Sequence, residues 1–395
     1  MQLEPIVPVG LPVPDPDSLA HSERVAGFIR ERIAEAGGSI GFAEYMQHAL
    51  YAPGLGYYAA GASKFGPAGD FVTAPEISPA FGRVLAAQCA EVLSGVMGGS
   101  ILELGAGTGT LAATVLARLD ELGVRPAAYQ ILEVSADLAD RQRRRIGGSS
   151  IGRVPVAWLD RMPESFRGVV LINEVADALP VERFLRRENG LLQVRVATGD
   201  AGFVYATGPA DARLAAAVHE IEACVGGHLA PGYCSEVSLG FGAWLADIVN
   251  AVQDGVILLF DYGVSRREYY APDRDSGWLR CHFRHHAHEE PLIYPGIQDI
   301  TAWVDFSAAA EAAAAAGASI AGYVTQALFL LHGGLENEMA RFQSLSAEEQ
   351  IALSRQIRQL MLPGEMGERF KCLALAKGSA PIPPAVVAGD RAHTL

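Results

Sequence analysis

The chain has 395 residues, 31 Lys and Arg against 45 Asp and Glu, a formal net charge of −14, and a residue content that is 50% hydrophobic. That length carries one large domain or two ordinary ones, and the hydrophobic share excludes a disordered, collagenous or fibrous chain. The acidic balance argues against a nucleic-acid coat, which needs clustered cations, so no nucleic-acid partner is expected.

Five cysteines (Cys89, Cys224, Cys234, Cys281, Cys372) are scattered without a CxxC pair. They predict a reducing, cytoplasmic setting rather than a secreted disulfide framework. Residues 1–20 have five prolines among the first sixteen and no basic signal region, and read as a flexible, extended lead. Residues 21–52 read as two helices. Residues 53–78 are rich in Gly, Pro and aromatics; an irregular stretch of that length is usually functional or disordered, and the aromatics argue for order. A helix is predicted from Pro79 to Val92.

A strand–glycine–helix unit follows, SILELGAGTGTLAATVLARLDEL, then a second strand, YQILEVS. It leads into a helix whose basic run, RQRRR, reads as a solvated face. VPVAWL and GVVLINEV are the third and fourth strands. Apolar runs alternating with helices predict an α/β fold with a parallel, doubly covered sheet. Alternation from 181 to 208, with turn signals at Glu188-Asn189-Gly190 and Gly199-Asp200, predicts an antiparallel β insertion. Helices over 211–225 and Trp244–Val252 lead to the fifth strand, VILLFDYG, and residues 264–300 read as an aromatic, His-rich loop. Ala312 to Leu331 carries no charge over about a membrane-spanning length. The interruptions at Gly317, Ser319, Gly322, Thr325 and Gln326 favour an Ala helix, a Gly break and a buried strand, YVTQALFLL, over membrane insertion. FKCLALAKG is the last strand, after the helical stretch SAEEQIALSRQIRQLML.

The sharpest motif is Glu103-Leu-Gly105-Ala-Gly107-Thr-Gly109, after a strand and before a helix. Glycines there allow a tight turn and close ligand approach at a helix N-terminus. In a dinucleotide site the third glycine comes one residue later, and Glu103 would oppose a pyrophosphate. The same acid suits the amino group and sulfonium of S-adenosylmethionine. Glu133, at the end of the second strand, would take two ribose hydroxyls, as it also would in a nicotinamide enzyme. Trp158 is placed to stack on adenine or to pack in the core.

After the fourth strand come Asn173, Glu174 and Asp177. Two acids beside a methyl donor make a candidate clamp for a guanidinium, whose planar fork carboxylates bind bidentately. Asp177 can alternatively cap a following helix.

These residues resemble the MidA-like family of class I methyltransferases, whose mitochondrial members are complex I assembly factors. The matching stretches are LYAPGLGYY (50–58), GDFVTAPEISPAFG (69–82), ILELGAGTGTLA (101–112), NEVADALPV (173–181), SEV (235–237), DYG (261–263), YPGIQDITAWVDFS (294–307) and TQALFLL (325–331). The resemblance implies a Rossmann-like, seven-stranded sheet with a helical N-terminal cap. It divides the chain into a lead (1–20), a cap with a cofactor-covering loop (21–98), a methyltransferase domain (99–380) with insertions at about 181–250 and 264–306, and a tail (381–395). The implied activity is S-adenosylmethionine-dependent protein arginine methylation, the symmetric dimethylation of an arginine on a 49-kDa-type subunit of complex I, with S-adenosylhomocysteine as product. Gly105, Gly107, Thr108, Gly109 and Glu133 would hold the cofactor. Asp70, Phe71, Thr73, Pro75 and Glu76 would close over it, and Asn173, Glu174 and Asp177 would border the acceptor. Trp303 stands where many relatives have His or Asp, and Val175-Ala176 replace a bulkier pair, departures that bear on acceptor specificity.

Other readings are a non-catalytic S-adenosylmethionine-binding assembly chaperone and a methyltransferase for a small molecule or another residue. Cys281, His282, His285, His286 and His288 lack the second distant ligand pair of a zinc site, so no metal is expected. Tyr57-Tyr58 are candidates for a cleft roof, and Glu236 and Asp261 for further acids of an acceptor pocket. The sequence leaves the oligomeric state open, a homodimer included.

Overall fold

The computed structural model describes residues 7–60, 72–147, 154–340 and 342–395. The chain divides into two compact units, one of Met1–Phe71, Asp177–Phe241 and Ser265–Asp305, the other of Val72–Ala176, Gly242–Val264 and Phe306–Leu395.

The second unit is the α/β unit. Its elements include α1 (Ala74–Ile77), α2 (Pro79–Gly95), β1 (Ser100–Leu104), α3 (Thr110–Glu121), β2 (Tyr129–Leu132), α4 (Ala136–Gly147), β3 (Val156–Leu159), β4 (Phe166–Asn173), β5 (Val252–Val264), α5 (Phe306–Ala315), β6 (Ser319–Thr325), α6 (Gln326–His332), α7 (Ala347–Met361) and β7 (Phe370–Lys377). The sheet path is β6-β7-β5-β4-β1-β2-β3, with β1 to β5 parallel and β7 antiparallel to both β5 and β6. The central strands are mainly apolar because helices cover both faces, and Ile101, Val169, Leu171, Val256 and Leu258 are buried in one core with Phe81 and Val115.

The register aligns the carboxyl ends: Leu104 pairs with Leu132 and with Ile172, Leu132 with Leu159, and Ile172 with Leu259. The residues just beyond them therefore share one edge of the sheet.

The predicted strand YVTQALFLL is only half strand. It ends at Thr325, whose hydroxyl accepts from Leu328 N at 3.3 Å and caps α6. A short apolar run fits strand and buried helix equally, and here the cap decides. The uncharged stretch 312–331 is thus divided among helix, strand and helix, and among the described residues no helix is long and apolar enough to cross a membrane.

The first unit starts with a helix from Pro16 to Glu35, the expected helix begun five residues early, within the lead expected to be extended; the Asp15 side chain accepts from Ser18 N and a proline sits in the first turn. A short strand, Ser39–Gly41, separates it from the helix Phe42–Tyr51. The predicted insertion is antiparallel: Glu182–Arg187 and Phe203–Pro209 both pair with Gly190–Thr198, and Cys234–Val237 pairs with Glu182–Arg187. The presumed His-rich loop contains a three-stranded antiparallel sheet, Arg280–Phe283 between His286–His288 and Asp299–Thr301. Arg284 and His285, at φ 49° and 63°, form its two-residue turn. Strands of three or four residues carry too little periodicity to stand out in sequence. The core of this unit gathers Val25, Ile29, Phe42, Tyr45, Val196, Phe203, Leu279 and Ile300.

Candidate active site

In the α/β unit, β1 ends at Leu104 and the chain turns through Gly105, Gly107 and Gly109, all at positive φ, into α3. Two of these glycines are demanded by geometry. Gly107, at φ 52°, has open space where a side chain would begin; at Gly109, a Cβ would lie 3.2 Å from Gln142 Cα, so α4 presses directly on the turn.

Glu103 is buried on β1 and accepts from Tyr129 Oη at 2.6 Å. Burial pushes its carboxyl up to about 7, with the nearby Glu133 charge adding to the rise and the Tyr129 bond opposing it. Glu133 follows β2; its Oε1 accepts from Ser135 N at 2.9 Å and its Oε2 from Gln142 Nε2 at 2.8 Å. Gln142 Nε2 also donates to the Gly107 carbonyl at 2.9 Å, and Gln142 Oε1 accepts from Trp158 Nε1 at 2.9 Å. The Arg143 guanidinium lies 4.9 Å from the Trp158 ring centre. The run RQRRR is thus a solvated face broken by one buried amide.

Of the segment GDFVTAPEIS, Asp70 and Phe71 lie outside the described residues. Thr73 occupies the N-cap of α1, and Pro75 is buried in its first turn. Glu76 reaches the glycine turn: its Oε1 accepts from Thr110 Oγ1 at 2.6 Å and from Thr108 Oγ1, and Arg145 also donates to Thr110 Oγ1. A carboxylate therefore already holds the hydroxyls at the N-terminus of α3, where a dinucleotide site would seat a phosphate.

At the same sheet edge, Asn173 closes β4 and Glu174 follows at φ 53°, a left-handed conformation costing about 1–3 kcal/mol for a non-glycine residue. Among the bonds that hold it there, Glu174 N donates to Phe260 O at 2.9 Å, and Glu174 Oε1 accepts from Ala74 N and Asn173 Nδ2, each at 3.2 Å. Asp261, fully buried on β5, accepts from Ala176 N and Tyr262 N at 3.0 Å each. Asp261 braces the loop that carries Glu174.

Asp177 belongs to the other unit. No helix follows it: the next element is the strand Glu182–Arg187, so the capping alternative fails. It is buried, and its carbonyl accepts from Ala302 N at 2.9 Å. Its charge, with that of Asp299, acts on Tyr51 and Tyr58, whose hydroxyls burial above all pushes well up. Tyr58 Oη donates to Asp299 Oδ1 at 2.8 Å, Tyr51 Oη donates to Ala178 O at 2.9 Å, and the two rings stack at 5.4 Å. Glu236 is fully buried in this unit, its Oε1 accepting from Trp278 N and from Tyr269 Oη at 3.3 Å, and Trp278 stacks on Trp303 at 4.1 Å. Among the described residues, no group of three His, Cys, Asp or Glu side chains is arranged to hold a metal ion. His282 is held neutral, its imidazolium pushed down to about 4 by burial first and then by His288 and Arg280.

Sequence reading missed Gln142 and the anchoring role of Glu76. The signal available for Gln142 was its position four residues past Leu138 on the apolar face of α4.

A family model described as "Putative S-adenosyl-L-methionine-dependent methyltransferase" matches residues 84–324. The chain belongs to this family. A structure from Burkholderia thailandensis bound to S-adenosyl-homocysteine is 41% identical to it, covers 98% of this chain and 100% of that one, and superposes with a TM-score of 0.91. A mitochondrial protein arginine methyltransferase of Danio rerio is 29% identical over 85% of this chain and 83% of its own length. The human mitochondrial protein arginine methyltransferase is 28% identical over 86% and 80%. The fold is that of a class I methyltransferase, and the family's cofactor is S-adenosylmethionine.

Proposed function

We propose that the chain transfers a methyl group from S-adenosylmethionine to an arginine of a protein substrate. The likeness to protein arginine methyltransferases over most of both lengths supports the acceptor class, and the donor set supports the cofactor. The residues present fit a cationic nucleoside without phosphate. Glu103, once ionised, supplies negative charge behind the glycine turn, Glu133 a carboxylate for a vicinal diol, and Glu76 fills the place a phosphate would need. Gly105, Gly107, Thr108 and Gly109 would let backbone approach the cofactor, Thr73 and Pro75 would border it, and Trp158 would flank the adenine.

The bound cofactor supplies an electrophilic methyl carbon on a sulfonium. Glu174 is the observation that carries the acceptor reading: a strained acid at the carboxyl end of β4, fixed by the β5 carbonyl and braced by Asp261. Its carboxylate would orient a guanidinium nitrogen in line with the methyl carbon, with Asn173 beside it; Asp177, the second acid of the motif, lies in the other unit. Alignment of this kind removes up to roughly 7–11 kcal/mol of barrier. The resemblance set out above points to a complex I subunit of the 49-kDa type, or its counterpart, as the acceptor.

The test is Glu174→Ala with radiolabelled methyl donor in native cell extract. Methylarginine formation should drop about 100-fold or more while S-adenosylhomocysteine affinity stays within about threefold. Unchanged arginine methylation would sink the assignment, and label on another residue or a small molecule would redirect it.

A further inference from the structure

Gln142 contributes no charge and touches no expected substrate atom, yet its hydrogen bonds to Glu133, Gly107 and Trp158 all go to the candidate cofactor site. The side chain is fully buried. Its two amide hydrogens go to Glu133 Oε2 at 2.8 Å and Gly107 O at 2.9 Å, and its oxygen takes the Trp158 indole hydrogen at 2.9 Å. With two acceptors on one side and a donor on the other, the orientation of the amide is fixed by its partners. The close approach of α4 at Gly109, 3.2 Å from a would-be Cβ to Gln142 Cα, sets the distance from which the amide reaches all three.

We propose that Gln142 is a positioning residue that presents the Glu133 carboxylate to the ribose diol of the cofactor and ties that presentation to the Gly107 turn and the Trp158 ring. This rests on the reading of Glu133 as the ribose acid. Ser135 N donates to one oxygen of Glu133 and Gln142 Nε2 to the other, and donors on different oxygens restrain a carboxylate from rotating. Without the amide, the Gln142 restraint on that carboxylate is lost. The neutral amide also achieves this without competing for a cationic ligand, as a Lys or Arg in its place would.

Calorimetry with S-adenosylhomocysteine and its 2′,3′-dideoxyribose counterpart tests the idea on the whole chain. Wild type should prefer the diol by about tenfold or more, and Glu133→Gln should reduce that preference. Gln142→Leu should reduce it to within about threefold, since the amide's bonds are lost at similar side-chain volume. Gln142→Met keeps the length of the side chain but removes the donor to Glu133, so it should lose the preference too, and it carries the test if the Leu variant fails to fold by circular dichroism. A uniform loss of affinity for both ligands, with the ratio intact, would mean that Gln142 only supports the fold and would overturn the proposal. A wild type that ignores the diol defeats the Glu133 reading instead. The case of a Glu133→Gln variant that loses the preference while both Gln142 variants keep it counts against Gln142 alone.

Discussion

The glycine turn of the α/β unit and the tyrosine–aspartate cluster of the other unit are both buried polar networks around acids, built in opposite ways. At the turn, Glu103, Gly107, Glu133 and Gln142 fall within 40 residues of chain, on consecutive elements of a single βαβα run, and the donors are a phenol, a backbone amide and one neutral side-chain amide. In the cluster, Tyr51, Tyr58, Asp177 and Asp299 come from three distant segments and the donors are phenols. The first network is dictated by local geometry, because a parallel strand, a glycine turn and a helix leave few places for the next acid. The second exists only because folding brings distant segments together. The two should therefore respond differently to substitution, ligand-binding loss at one and stability loss at the other.

The largest expected effect is at the turn. Gly107→Val forces a β-branched residue to φ 52° and fills space that is open in the structure. S-adenosylhomocysteine binding should fall below calorimetric detection, with a stability cost of about 1–2 kcal/mol. Retained micromolar binding would break the comparison, since the turn would then not be the ligand's seat.

Next comes pH. Glu103 has its carboxyl raised from 4.5 to about 7, so the folded state holds a proton that the unfolded chain has already released. Stability from this group is complete below pH 4.5, declines as pH rises toward about 7, and is constant above, a loss on the order of 3 kcal/mol. Denaturation of wild type and Glu103→Gln at pH 5 and 8 should show the difference between them shift toward the variant at pH 8. Affinity for the cationic cofactor should rise over the same range in wild type and stay flat in the variant. A pH-independent difference would remove Glu103 from both accounts.

The smallest effects are in the cluster. Tyr58→Phe takes a donor from the Asp299 carboxylate and should cost about 1–3 kcal/mol, whereas Tyr51→Phe takes one from a carbonyl and should cost about 1. Chemical denaturation ranks them. Equal costs would imply that the charge of Asp299 adds nothing to its hydrogen bond.

Much of the α/β unit was legible because its signals are local. Apolar runs without alternation announced buried parallel strands, the glycine spacing and Glu103 chose between cofactor classes, and Glu133 and Glu174 were named from their strand ends. The misreadings share a cause. YVTQALFLL looked like one strand because an apolar run has no period of its own, and only the Thr325 cap turned it into a helix. Residues 264–300 looked like loop because their strands are three or four residues long and defined by partners. Gln142 was hidden in a basic run whose other members are solvated.

The sequence by itself determined the class of sheet, the place of the turn and the acids at its edge, because strand periodicity, glycine conformation and carboxylate chemistry act within a few residues. Only the tertiary structure decided which groups those acids face: Tyr129 against Glu103, Gln142 against Glu133, the β5 carbonyl and Ala74 against Glu174, and Tyr58 against Asp299. A hydrogen bond across 100 or 241 residues of chain leaves no trace in spacing or composition. It is fixed by the strand register and helix packing that bring its two ends together.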